Sequence, residues 1–153
     1  MKLLFVSHPV GQLGNGSGGG VDLTVRNVVQ ALERRGRRID VIAPIGSRLT
    51  GARIVEVAGS LQPSAQYLAR EEPISVPADS VLANMWEEAR RRQSSYDLIV
   101  NFAYDWLPFF LTPFFTSPVA HLVSMSSLLD AMDTVIGEVV AAFPARVAMH
   151  THA

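Results

Sequence analysis

The chain has 153 residues, the length of one domain, which is enough to bury a hydrophobic core. Apolar residues make up 48% and charged residues 18%, with a formal net charge of −1, so the composition disfavours a disordered chain and a surface that coats nucleic acid. There is no cysteine, which excludes disulfides, thiolate zinc sites and catalytic thiols, and a cytoplasmic location is expected.

The sequence predicts no membrane-spanning segment. Its longest apolar-rich stretch, 98–125, is interrupted by three prolines and by polar residues, so no window of about 20 apolar residues remains. The apolar run Leu3–Val6 is too short for the core of a signal peptide. It has no alternating pattern, which is typical of a strand that is covered on both faces.

The first half of the chain predicts a strand, a glycine-rich loop, a helix and two more strands. The loop covers 7–20, and the helix that follows has apolar residues at helical spacing from Val21 to Leu32. Gly36 is predicted to end this helix as its C-cap residue, after Arg34 and Arg35 in the last turn. Short strands are predicted at 39–43 and 54–57.

The second half opens with a polar stretch, 59–77, that shows neither helical nor strand periodicity; so long a loop is typically functional or mobile. The elements predicted after it are a helix from 79 or 80 to about 93, a strand at 97–102, a short helix or turn at 107–115, a strand at 118–124, a helix that a capping box at 127–130 begins, and a strand from 146. Alternating strands and helices predict an α/β fold: a Rossmann-like, doubly wound parallel sheet of about six strands.

The glycine loop favours an anion. It contains Gly14-Asn15-Gly16-Ser17-Gly18-Gly19, which matches G-x-G-x-x-G, but about seven residues separate it from the first strand. The second strand also lacks the terminal acidic residue, so a nicotinamide dehydrogenase is disfavoured. Three consecutive glycines still place backbone N–H groups at a helix N-terminus, where a phosphate is favoured. A flexible glycine hinge without a ligand remains the alternative.

The opening of the chain resembles the N-terminal half of a family 4 retaining glycosyltransferase of GT-B fold. The residues that carry the resemblance are Lys2–Val6, the glycine loop with Gly19-Gly20-Val21-Asp22, the helix end 32–37, and Ile39–Pro44. Asp22 and Arg37 stand where the family usually has Glu and His. The stretches 101–108 and 118–127 further resemble the UDP-glucose:tetrahydrobiopterin glucosyltransferases within that family.

The resemblance implies roles for six residues. Gly18, Gly19 and Gly20 are expected to approach the donor phosphates, and His121 is expected to be catalytic, at a strand end facing the cleft near the transferred sugar. Tyr104 and Asp105 place a carboxylate beside aromatic faces, which suits a flat polar acceptor such as a pterin.

Alternatives remain open for these polar residues. His121 is otherwise a core histidine with satisfied hydrogen bonds, and Asp105 a residue that caps a turn or helix. His8 has a weaker claim to line the cleft. His150 and His152 share a face of the last predicted strand, but two histidines do not make a zinc site, and no metal is predicted.

In a GT-B enzyme a second domain grips the nucleotide sugar and carries a Glu-x₇-Glu motif, which this chain lacks. We therefore expect residues 1–153 to be the acceptor-binding domain, with UDP-glucose as substrate, no cofactor, and no activity without the nucleotide-sugar domain. Removing that partner domain should expose apolar surface near the last strand or near Trp106–Phe115, so a homo-oligomer is also expected. A stand-alone α/β module that binds an anion or a partner without catalysis is the alternative function.

Overall fold

The structure, a computed structural model, describes residues 1–149 and confirms the predicted α/β fold. The strands are β1 (Lys2–Val6), β2 (Arg38–Pro44), β3 (Arg53–Val57), β4 (Leu98–Asn101), β5 (Val119–Val123) and β6 (Val147–Met149). All are parallel, in the order β3-β2-β1-β4-β5-β6, with Leu3 paired to Ile39 on one side and to Leu98 on the other. The sheet therefore winds outward in both directions from β1, as in Rossmann-like folds.

Four α-helices cover the two faces of the sheet: α1 (Gly20–Glu33), α2 (Val81–Arg92), α3 (Trp106–Leu111) and α4 (Asp130–Ala142). Side chains of β1 alternate between two cores. Leu4 and Val6 pack with α2, whereas Leu3 and Phe5 pack with the apolar face of α1. A third apolar cluster joins α3 and α4 beside β5. Since β1 is buried on both faces, its continuous apolar run is explained.

Of two helix ends predicted from the sequence, the structure confirms one and contradicts the other. Gly36 adopts the left-handed conformation (φ 70°) beyond α1, where its N–H donates to the carbonyl of Glu33, as predicted for the glycine that ends the helix. The predicted capping box at Ser127 is wrong. Helix α4 begins at Asp130, and its N-cap residue is Leu129, whose side chain has no hydrogen-bond acceptor. The Ser127 hydroxyl does not cap the helix, because it donates to the carboxylate of Asp133.

The connection from β3 to α2 contains one 3₁₀ turn, Ala65–Tyr67, and otherwise no regular element. We call residues 61–79 of this connection the strap. The strap crosses the carboxyl edge of the sheet, where the strand-to-helix loops also lie. No helix within 1–149 is long and apolar enough to cross a membrane. The strand predicted from 146 is present as β6, and His150 and His152 lie outside the described residues.

Candidate ligand cavity at the carboxyl edge of the sheet

A cavity of about 890 Å³ lies at the carboxyl edge of the sheet. The glycine loop and the start of α1 form one wall, and the turn between β4 and α3 forms the opposite wall. The strap forms the roof, and residues after β5 and on α4 complete the lining. A cavity of this size and place is where α/β sheets typically bind small ligands.

The structure brings the predicted phosphate-binding and acceptor-binding residues together. Gly18, Gly19 and Gly20 line the cavity on the α1 side, and Tyr104 and Asp105 line it on the α3 side. Gly19 is the N-cap of α1 and has no side chain to cap the helix. A methyl group added at Gly20 would meet no atom within 4 Å. The Gly19 N–H donates to the Gly16 carbonyl and the Val21 N–H to the Gly18 carbonyl, so the Gly20 N–H is the backbone donor that this helix start offers to the cavity.

His8 and Asp22 form a buried pair at the base of the glycine loop. The His8 Nε2 and the Asp22 Oδ1 are 2.7 Å apart, and each residue is about 5% exposed or less. The other carboxylate oxygen accepts a hydrogen bond from the Gly14 N–H at 3.2 Å. Burial alone would raise the pKa of Asp22, but the hydrogen bond and charge of His8 outweigh it, and the pKa is lowered. The carboxylate of Asp22, on α1, therefore contacts both His8, which follows β1, and Gly14 in the middle of the glycine loop.

The His8 ring has no nitrogen left for a substrate. Its Nε2 is shared with Asp22, and its Nδ1 accepts from the Val10 N–H at 3.3 Å, which places the ring proton on Nε2. A methyl group at Gly18 would overlap both the Asp22 Oδ1 and the His8 Nε2. The backbone of Gly18 therefore lies directly against the pair, and the pair sets the shape of the loop.

Asp105 occupies the opposite wall, held by contacts on two sides. It is the N-cap of α3, where its Oδ1 accepts a long hydrogen bond of 3.4 Å from the Leu107 N–H. Its Oδ2 accepts from the Gln62 Nε2 at 3.2 Å. Burial raises the pKa of Asp105. The interpretation of Asp105 as a helix cap is confirmed, and the residue also lines the cavity, where its role in binding an acceptor stays a prediction.

Aromatic side chains flank that carboxylate. Tyr104 and Trp106 line the cavity beside Asp105, and Trp106 stacks on Phe110 with ring centroids 4.5 Å apart. The Tyr104 hydroxyl accepts from the Leu128 N–H at 3.2 Å, which fixes the direction of its ring. A fixed aromatic wall with one carboxylate favours a flat ligand that carries N–H or O–H donors.

His121 is placed differently from the expectation. It ends up in the core, about 1% exposed, and it does not face the cavity. Its Nδ1 lies 3.0 Å from the Asn101 Nδ2, its Nε2 lies 2.8 Å from the Thr112 Oγ1, and its ring stacks on Phe109. The expectation that its ring faces the cleft is wrong, because its position on β5 directs the side chain between the sheet and α3.

The surroundings of His121 hold it in the neutral form. Burial lowers its pKa to about 3, and neither Asn101 nor Thr112 supplies a charge that would stabilise an imidazolium. The alternative of a core histidine with satisfied hydrogen bonds describes this geometry. A direct contact with a sugar would require the ring to leave all of these partners.

The charge of the cavity wall was not evident from the sequence. Within the described part of the chain, the lining includes the carboxylates of Glu72 and Asp105 and no lysine or arginine. The roles of Asp22 and Gln62 were also missed. In the sequence, Asp22 was identified only as the residue that stands where the resembled family usually has Glu, and Gln62 lies in a stretch without periodicity. The contact between His8 and Asp22 depends on how the glycine loop between them folds, which the sequence does not indicate.

Comparison with models of known protein families and with curated protein sequences finds no match for this chain. What the chain does must therefore be inferred from its residues and from the cavity that they form.

Proposed function

We propose that the chain is the acceptor-binding domain of a retaining glycosyltransferase of GT-B fold. The reaction moves glucose from UDP-glucose to a small hydroxylated acceptor, with tetrahydrobiopterin as the leading candidate. The observation that carries the proposal is the cavity, which has the glycine loop on one wall and Tyr104 with Asp105 on the other. The resemblance of 2–44, 101–108 and 118–127 to this family supports the same assignment.

The two walls have different roles in this proposal. Gly18, Gly19 and Gly20 approach the donor phosphates, with the N–H groups of Gly18 and Gly20 as the donors, where the dipole of α1 favours negative charge. Asp105 accepts hydrogen bonds from the donor edge of the acceptor ring, which lies against Tyr104 and Trp106. The carboxylates on the lining disfavour an acidic acceptor, whereas a neutral pterin ring with N–H donors fits.

We assign His121 no contact with substrate, since both of its nitrogens are occupied in the core. In the GT-B arrangement a second domain grips the nucleotide sugar across the cleft. The segment 1–153 alone is therefore expected to bind UDP-glucose weakly and to transfer no glucose.

An NMR titration of the ¹⁵N-labelled chain tests the proposal, because each wall has its own reporter. Tetrahydrobiopterin, kept reduced, should shift the Trp106 indole signal, and UDP-glucose should shift the amides of Gly19 and Gly20. Trp86, which is about 1% exposed in the core, is the internal control and should not respond. Asp105→Asn should weaken pterin binding, and Asp97→Asn, an exposed carboxylate bonded to the Lys2 N–H, is the matched control.

The outcomes separate the two candidate functions. A response of the glycine amides to inorganic phosphate, with no response of Trp106 to pterin at any concentration, would favour the anion-binding module. No response of either wall to any of the three compounds would overturn both.

A further inference from the structure

The strap roofs the cavity although it has almost no hydrophobic anchorage. Every residue from 61 to 79 is at least partly exposed, and most are exposed, with none of them buried. Ala65 makes its main apolar contact, with the cluster between α3 and α4. Segments with so little buried surface open at a small fraction of the free energy that global unfolding requires. Polar contacts must therefore hold the strap over the cavity.

One end of the strap is fixed at Gln62. Its backbone N–H donates to the carbonyl of Pro9 at 2.9 Å, and its Oε1 accepts from the Ser80 hydroxyl at 3.0 Å. The same side chain donates to Asp105. Gln62 thus connects the strap to the loop after β1, to the N-cap of α2 and to the acceptor wall.

The middle of the strap is held by Arg70. Its guanidinium lies 2.8 Å from the Asp130 Oδ1 and 2.9 Å from the Asp133 Oδ2. It also donates to the backbone carbonyl and to the hydroxyl of Ser127, at 3.3 and 3.2 Å. The Arg70 carbonyl accepts from the Asp130 N–H at 3.1 Å. Both carboxylates lie in the first turn of α4, where the helix dipole favours them.

These contacts stand alone along the strap. Within residues 1–149, every hydrogen bond that joins 63–76 to another element involves Arg70. Arg70 is about half exposed, so water and salt compete with its ion pairs. Between the anchor at Gln62 and residue 77, the strap is therefore held over the cavity by the packing of Ala65 and by the polar contacts of one half-exposed residue, Arg70.

We propose that residues 63–76 form a gate that moves away from the cavity when the contacts between Arg70 and α4 break. This movement widens the entrance of a cavity that is already partly open to solvent. Gln62 lies outside the moving segment, so Asp105 keeps its orientation while the gate is open. The proposal concerns access to the cavity and holds for any small ligand that binds there.

A cysteine inside the cavity can measure the opening, because the natural chain has no cysteine. The Ser124 hydroxyl is buried, has no hydrogen-bond partner within the described residues and lies on a residue that lines the cavity. Ser124→Cys places one thiol there with little change of shape. Its rate of reaction with a small soluble disulfide reagent then reports how often the gate opens.

Arg70→Gln should speed this reaction about five- to tenfold, the order expected from losing a small network of exposed charge pairs. A rise in salt concentration should also speed the reaction of the Ser124→Cys variant that keeps Arg70. The same rise should have little effect on the variant that also carries Arg70→Gln. Arg91→Gln is the matched control, since the Arg91 side chain is also exposed, at 66% against 48% for Arg70, and pairs with Glu87 on α2. It should leave the rate unchanged.

A second reporter distinguishes gate opening from general loosening. The Ser7 hydroxyl is also buried and without a partner in 1–149, but Ser7 does not line the cavity. Arg70→Gln should leave the reaction of Ser7→Cys unchanged. Equal acceleration at both thiols, or no acceleration at Ser124→Cys, would overturn the proposal. Neither result depends on pterin or UDP-glucose binding, so the proposed function stands or falls separately.

Discussion

The surroundings of His8 and of His121 show two ways of burying an imidazole in one small domain. Each ring is almost inaccessible to solvent and each uses both nitrogens. The partners of His121 are an amide, a hydroxyl and a phenyl ring, whereas His8 faces the carboxylate of Asp22 beside the cavity. Position after a strand does not distinguish the two cases. The two cases differ in the charge of the histidine's partner and in whether the contact supports a loop or the core.

The core role of His121 is tested most directly by His121→Ala. This change should destabilise the fold by about 3–4 kcal/mol, because it leaves a cavity against Phe109 and removes partners from the buried Asn101 and Thr112. Binding of pterin per folded molecule should stay unchanged. Urea denaturation and an NMR titration of the same variant measure both quantities. A stable variant with weakened pterin binding would instead show that His121 contributes to the binding site.

Acid should reveal the same residue in the unmodified chain. The unfolded chain binds a proton at His121 below its usual pKa of 6.5, but the folded chain does so only near pH 3. Stability is therefore full above pH 6.5 and falls as the pH drops, by about 3 kcal/mol at pH 4. His121→Gln should flatten this dependence in urea titrations between pH 6.5 and 4. An equal slope in that variant would assign the acid sensitivity elsewhere.

The His8–Asp22 pair predicts a difference between two neighbouring glycines. Gly18→Ala should cost about 2 kcal/mol, because its methyl group overlaps the pair and the buried ring has little room to move. Gly20→Ala should leave the melting temperature almost unchanged, since its methyl group points into open space. Gly20→Ala should nevertheless weaken UDP-glucose binding by narrowing the approach to the backbone. Similar melting temperatures for the two variants would mean that the loop does not rest on the pair.

A small effect on stability is expected at Asp105. Because burial raises its pKa, its ionised form costs stability at neutral pH, and removing the charge relieves that cost. Asp105→Asn should therefore change the free energy of unfolding by less than about 1 kcal/mol, in the stabilising direction. Thermal melts at pH 7 and pH 4 check this, since any gain should shrink at the lower pH. A marked loss of stability at pH 7 would show that the carboxylate is needed for the fold.

The parts of the fold that were predictable are those with a local signal. Continuous apolar runs marked the strands, helical spacing marked the helices, and Gly36 marked the end of α1. The start of α4 was placed at Ser127 because a local capping pattern was present. The structure instead uses that hydroxyl in a contact with Asp133 and with Arg70 from the strap. A distant partner can therefore take over a residue that the local pattern assigns to a cap.

The candidate site was predictable as a region and only partly as a set of residues. The rule that ligands bind beyond strand ends correctly grouped Gly18–Gly20 with Tyr104 and Asp105 around one cavity. It also selected His121, since the rule locates a strand end but does not give the direction of a side chain. The Arg70 contacts span up to 63 residues, so no local pattern could reveal them.

The topology of the sheet also sets the order in which the chain can fold during synthesis. β1 leaves the ribosome first, yet one of its two neighbours, β4, lies 95 residues later in the pairing of Leu3 with Leu98. Until β4 emerges, one edge of the apolar segment Leu3–Val6 lacks its partner strand, and until α2 emerges the face that carries Leu4 and Val6 lacks its cover. The nascent chain therefore carries an apolar strand with one unpaired edge over these 95 residues of synthesis, and the early β1–α1–β2 unit with its parallel strand pair is the first protection against aggregation.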